Sequence, residues 1–155
     1  MTLDDLQGRV DALRRELEAR RRAGRTILIV EDLDKPVPAA SDPRALADAF
    51  VAHHGFTPLG DQWHEVDQAE AHTIVTRILT ADLAYGSRIM PEEEAAELAD
   101  AFFALCPDDS HFFANTRATP EFLGCWAPLT YATFDTGIIS VSGTRMGMIW
   151  VEDED

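Results

Sequence analysis

Residues 133–151 read TFDTGIISVSGTRMGMIWV, and the reading of this stretch decides the fold. Two apolar runs flank Ser142-Gly143-Thr144, a cluster of small turn residues, so the segment reads as a β-hairpin. With Gly143-Thr144 as a two-residue turn, Val141 faces Met146, Ile139 faces Met148 and Gly137 faces Trp150. A glycine opposite an indole leaves room for the ring. Slipping the turn by one residue changes the partners but not the faces. Ile139, Val141, Met146, Met148 and Trp150 then share one side, the expected core side. The opposite side carries Ser140, Ser142 and Arg145 near the turn, so that end is expected to be wet.

Working outward from the hairpin, His111-Phe112-Phe113-Ala114 reads as a strand and Gly60 to Val66 as a short strand around Trp63. Thr26-Ile27-Leu28-Ile29-Val30 is a short continuous apolar run, which predicts a central strand. It leaves into an acidic loop punctuated by proline, Glu31 to Pro38. Asp42 as N-cap and Pro43 at the first helical position open a helix that runs to Gly55 and buries Leu46, Phe50 and Val51. Asp67 and Glu70 predict a capping box ahead of a helix carrying Ile74, Val75, Ile78, Leu79 and Leu83 up to Gly86. Pro91 starts another helix, with Ala95, Leu98, Ala99, Phe102 and Cys106 inward, and Pro107 ends it. Together these predict an α+β fold: three to four helices packed on one face of an antiparallel or mixed sheet that ends in a C-terminal β-hairpin.

The first 24 residues read as an amphipathic helix ahead of a single acidic α+β domain spanning 25–155. Leu3, Leu6, Val10, Leu13 and Leu17 recur at spacings of 3 and 4, the seam of a helix that must pack on something. An isolated helix of about 20 residues is marginal in water, so the seam predicts burial against the chain's own body or a homodimer. Thr2 with Asp5 suits the N-cap and Gly24 the stop. Asp5–Arg9, Asp11–Arg15, Glu16–Arg20 and Glu18–Arg22 are acid-to-base pairs at i,i+4, which account for the arginines without a nucleic-acid arm.

Composition narrows the class. A chain of 155 residues, 46% hydrophobic with mean hydropathy −0.15, has enough Phe, Trp and aliphatic side chains for one core. The longest apolar run, Ala101 to Cys106, is too short to span a bilayer. The N-terminal residues show neither a basic nor an apolar signal-peptide region, and Cys106 and Cys125 form no C-x-x-C pair. A cytoplasmic protein with reduced, buried thiols is the expectation.

Charge is lopsided. Residues 1–25 hold seven arginines against five acids, net +2, whereas residues 26–155 hold six basic side chains against 23 acids, net −17. So acidic a body repels nucleic acid and anionic membranes and attracts cationic proteins.

The motif search returns no enzyme signature. Among His53, His54, His64, His72 and His111 no ligand spacing recurs, and His64, Glu65 and Asp67 are the nearest approach to a metal grouping. There is no G-x-S-x-G and no phosphate-cradling glycine loop, and Cys125 beside Trp126 reads as a packed small side chain. No catalytic residue, metal or cofactor is assigned.

Many acids have structural duties: Glu92-Glu93-Glu94 occupy a first helical turn, and Asp42, Asp67 and Glu70 are caps. Those left over are Glu31, Asp32 and Asp34, with Glu152, Asp153, Glu154 and Asp155 after Trp150. If the last strand pairs near the first, the two clusters form one negative surface with Trp150 beside it. The expected role is an inhibitor or immunity-type binding protein for a cationic partner, such as a nucleic-acid-acting toxin. The competing reading is a small enzyme or ligand-binding protein with a pocket lined by Trp63, His64, His111, Tyr131 and Asp135. A third is an oligomerisation module built on the leucine seam.

Overall fold

Strands β4 (Phe134–Val141) and β5 (Arg145–Asp153) form the hairpin with the expected partners, Gly137 opposite Trp150, Ile139 opposite Met148 and Val141 opposite Met146. The structure, a computed structural model, describes residues 2–154. At Gly137 an added Cβ would lie 2.7 Å from the Trp150 Cα and 2.8 Å from its ring, so only glycine lets the indole lie flat on the neighbouring strand. Three further strands complete an antiparallel sheet in the order β1-β5-β4-β3-β2: β1 (Arg25–Asp32), β2 (His64–Val66) and β3 (His111–Ala114).

The run at 26–30 is therefore an edge strand, not a central one. It is continuously apolar because the sheet is covered on both faces, which removes the alternation that usually marks an edge. Helices α1 (Leu3–Arg20), α3 (Gln68–Thr80) and α4 (Glu92–Phe103) cover one face, as expected. The fourth helix, α2 (Pro43–His53), covers the other with Leu59, Trp63 and Leu129. Ile139, Val141, Met146, Met148 and Trp150 all join the core beneath α2. Ile138, Ile149 and Val151 point into a second core beneath α1, α3 and α4. The expected wet end is accordingly dry: Ser140 is 2% and Ser142 3% exposed, with Phe102 packed over Gly147 beside Ser140.

At the start of α1, Thr2 and Asp5 form the reciprocal capping box. Its seam turns inward. Leu6, Val10, Leu13 and Leu17 are buried against β1 and α4 in the same core as α3, while Leu3 is exposed. Helix α1 thus packs into the core shared with the sheet, and Leu6, Val10, Leu13 and Leu17 are buried within the chain. Glu16–Arg20 forms at 2.6 Å. Asp11 pairs with Arg14 instead, and Arg22 turns back to the Ala19 carbonyl.

Past the end of α1, Arg21 is fully buried and makes a two-pronged ion pair with Asp153 at 2.8 and 2.7 Å. Its guanidinium also donates to the carbonyls of Ile78, Ala23 and Ala81, and Asp153 accepts from the Leu83 N–H. One buried pair thereby ties the ends of α1, α3 and β5. Asp67 caps α3 as expected, but Glu70 does not close a box. Its carboxylate takes both prongs of Arg117 and the Ala118 N–H, which anchors the loop after β3.

Candidate functional site

The acids singled out by sequence separate. β1 and β5 are antiparallel, so Arg25 lies opposite Glu152 at one end and Asp32 opposite Arg145 at the other. The two clusters sit at opposite ends of the sheet, about 24 Å apart at ~3.4 Å per residue, and do not merge into one surface. Those after Trp150 are occupied: Asp153 holds Arg21, Glu152 meets Arg25 at 3.2 Å, and Glu154 accepts from the Thr133 N–H and hydroxyl. Trp150 is fully buried, its indole N–H donating to Asp135 at 2.9 Å. Asp153 and Trp150 are therefore withdrawn from any partner surface, because both are sealed inside the core. Asp155 lies outside the described residues.

The cluster at the exit of β1 is placed differently. Here Glu31, Asp32 and Asp34 rim a groove of about 410 Å³ whose floor is Leu33, Val37, Leu46, Phe50 and Met146. Two elements build it. Helix α2 presents Leu46, Ala49, Phe50 and His53, spaced i, i+3, i+4, i+7, as a single stripe along one wall. The loop after β1 makes the other wall and is stitched to the hairpin turn by two backbone bonds, Leu33 N–H to the Thr144 carbonyl and Val37 N–H to the Gly143 carbonyl, each 2.9 Å. The trough continues past Val37 and Leu46 into a smaller hollow of about 200 Å³ that reaches Asp109 and His111.

The three rim acids are not equivalent. Asp32 is drawn to Arg145 at 2.7 Å, and Arg145 also donates to the Leu105 carbonyl, so that charge is spent on tethering the hairpin. Glu31 contacts the His54 ring at 2.8 Å while its side chain stays 45% exposed. Asp34 is exposed and has no hydrogen bond or ion pair among the described residues. The groove therefore combines an apolar floor with one unengaged carboxylate, Asp34, and a second, Glu31, that is half-exposed but bonded through Oε1 to the His54 ring. Comparison with protein-family models, curated proteins and solved structures finds no match. Its reading rests on this geometry alone.

Residues expected to line a ligand pocket do not converge. Trp63 is buried and tethered to the Asp48 carboxylate at 2.6 Å, whose same oxygen accepts from the N–H groups of Leu59 and Gly60. Asp135 is fully buried elsewhere in the α2-side core, accepting from Trp150 and the Leu129 N–H. Burial pushes its carboxyl above the usual range despite those two bonds, and its second oxygen has no partner among the described residues. Tyr131 and His64 are exposed, and His111 faces Glu65 at 3.1 Å on the sheet surface. Among the described residues no three His, Cys, Asp or Glu side chains stand close enough to hold a metal ion.

Both thiols are free. Cys106 lies beneath Ser140 with its pKa pushed up to about 11 by burial. Cys125 is exposed rather than packed inside.

Sequence reasoning found the rim acids but missed the wall. The 46/49/50/53 spacing is visible in the sequence, but all four residues border a groove, while Leu46 and Phe50 also pack on the core. That distinction depends on where the loop 33–38 docks, a contact that no local pattern encodes.

Proposed function

We propose that the chain is a small acidic binding protein that engages a cationic protein partner through the groove between α2 and the loop after β1. The observation that carries this reading is the placement of Asp34, which has no ion pair among the described residues, and of the half-exposed Glu31 on the rim of an apolar trough. Such a site suits an arginine or lysine whose methylene stem packs on Leu46 and Phe50 while its charge meets the carboxylates. The net −17 of residues 26–155 draws such a partner in from a distance and turns nucleic acid away. An inhibitor or immunity-type protein that covers the basic surface of a nucleic-acid-acting toxin is the form of this activity that fits the charge, since such toxins must engage phosphate.

No helix among the described residues is long and apolar enough to cross a membrane, and the proposal places the protein in the cytoplasm. A catalytic reading gains no support from Trp63 and Asp135, which are sealed in the core around Trp150, or from His64, His111 and Tyr131, which lie on the surface.

The test is the association rate with a cationic amphipathic peptide that alternates arginine and leucine, followed by stopped flow across a salt series. Rates near 10⁸ M⁻¹s⁻¹ as an order of magnitude at low salt, dropping steeply as salt rises, are expected. The double replacement Glu31→Gln with Asp34→Asn is expected to weaken binding about tenfold, roughly 1.4 kcal/mol, with melting temperature unchanged. Binding indifferent to both salt and the double replacement would contradict the proposal.

A further inference from the structure

The trough between α2 and the loop after β1 has a second compartment. Val37 and Leu46 line both the trough and the hollow of about 200 Å³ beside the hairpin turn. The hollow has an apolar floor in Leu46 and Val141 and one carboxylate on its rim, Asp109. We infer that the site is bipartite: a segment of a protein partner places one basic side chain at Asp34 and a second at Asp109. The inference rests on the reading of the trough as the partner-binding groove and adds a second contact to it.

The placement of Asp109 supplies the first argument. With Asp108 it forms the tip of the turn between α4 and β3, and the backbone closes that turn by itself, Ser110 N–H to the Pro107 carbonyl at 3.1 Å. Aspartate is common in turns because its carboxylate bonds nearby N–H groups. The Asp109 carboxylate makes no such bond and no ion pair among the described residues, and the residue is exposed. It stands instead beside the passage between the compartments. Its Oδ2 lies 3.9 Å from the point a Cβ on Gly143 would occupy, and the Val37 Cγ2 lies 4.0 Å from the same point. At most about 11 Å of chain separates Asp34 from Val37. Two arginines four residues apart on an extended chain, ~13 Å between their Cα atoms, therefore reach both acids through their long stems.

Charge selects the occupant. The residues lining the two compartments include four carboxylates, Glu31, Asp32, Asp34 and Asp109, and no arginine or lysine. Arg145 neutralises Asp32 from outside and His54 holds Glu31, which leaves Asp34 and Asp109 as the two acids without a partner among the described residues. Lys35, the base in the loop itself, lines neither compartment, and Arg44 is held on the Trp63 carbonyl and over the Phe113 ring. The titratable bases on the walls are His53 and His111, and His111 already faces Glu65. A basic side chain therefore meets an apolar floor and an unmatched acid in each compartment. Copies of the chain, each at net −15, repel one another, and the same charge turns away nucleic acid and anionic membranes. The occupant is a foreign polypeptide with two basic side chains.

Titration calorimetry on the full chain tests this with two capped nonapeptides of leucine and serine. One carries arginine at its third and seventh positions, and the other has glutamine in place of the second arginine. The two-arginine peptide is expected to bind about fivefold more tightly. Asp109→Asn, a change that a turn position tolerates, is expected to remove that advantage and to leave the one-arginine peptide unaffected. Asp108→Asn takes the same charge from the neighbouring residue, which lines neither compartment, and is expected to change nothing. Equal affinity of the two peptides, or equal losses from Asp108→Asn and Asp109→Asn, overturns the inference and leaves the trough reading standing. Failure of both peptides to bind overturns that reading and the inference together. A dimer seen by light scattering without peptide, and dissociated by Asp109→Asn, assigns the position to a second copy and overturns the inference too.

Discussion

Buried charge is concentrated in two aspartates, and they behave oppositely. Asp153 is matched by Arg21, so removing either partner leaves an uncompensated ion in the core. Arg21→Ala or Asp153→Ala is expected to cost about 3–5 kcal/mol in denaturant unfolding. Replacing both by apolar residues of similar volume is expected to recover most of that loss. Asp135 has no cation within bonding distance, and burial raises its carboxyl. A raised folded-state value means that stability from this group is fully present below the ordinary carboxyl range and declines as pH rises through the elevated value. The stability of the native chain relative to Asp135→Asn is therefore expected to fall as pH rises above the ordinary carboxyl range, measured by urea unfolding at each pH. A gap that stays constant would show that Asp135 titrates normally. Neither aspartate was distinguishable from a surface acid in the sequence, because what separates them is a partner 132 residues away for one and a capping loop for the other.

Among the elements, α1 carries the clearest consequence. Its seam is part of the core shared by β1, α3 and α4, so Leu13→Ala or Leu17→Ala is expected to destabilise the whole chain by about 2–5 kcal/mol. Deleting residues 2–22 is expected to abolish cooperative unfolding rather than only halve a mass measured by light scattering. A folded, cooperative remnant would return α1 to the status of a detachable arm. The hairpin, its register and all four helices were legible, because turn chemistry, capping residues and periodicity are local signals. The edge position of β1 and the side on which α2 packs were not. Both follow from strand order, and a strand buried on both faces reads alike whether it lies at the centre or at the rim.

At the scale of the whole molecule, much of the charge asymmetry is consumed by ion pairs within the fold. Most acids after Trp150 are held by Arg21, Arg25 and Thr133, whereas Glu31, Asp32 and Asp34 line a trough at the opposite end of the sheet. The arginines of the first 25 residues are largely met by acids in turn: Arg14 by Asp11, Arg20 by Glu16 and Glu94, and Arg25 by Glu152. Glu31 and Asp34 stand out in the sequence as acids without a capping duty, whereas the contact of Glu31 with His54 and the apolar floor appear only when α2, the loop 33–38 and Met146 come together. The account's central claim is that this trough receives the cationic partner. Titrating the arginine–leucine peptide into isotopically labelled protein and following backbone amide shifts by NMR tests it most directly. The account predicts that the largest shifts fall within residues 31–37 and 46–53 and disappear in the Glu31→Gln, Asp34→Asn protein. Shifts centred on α3 and α4, or unchanged by the double replacement, would contradict it.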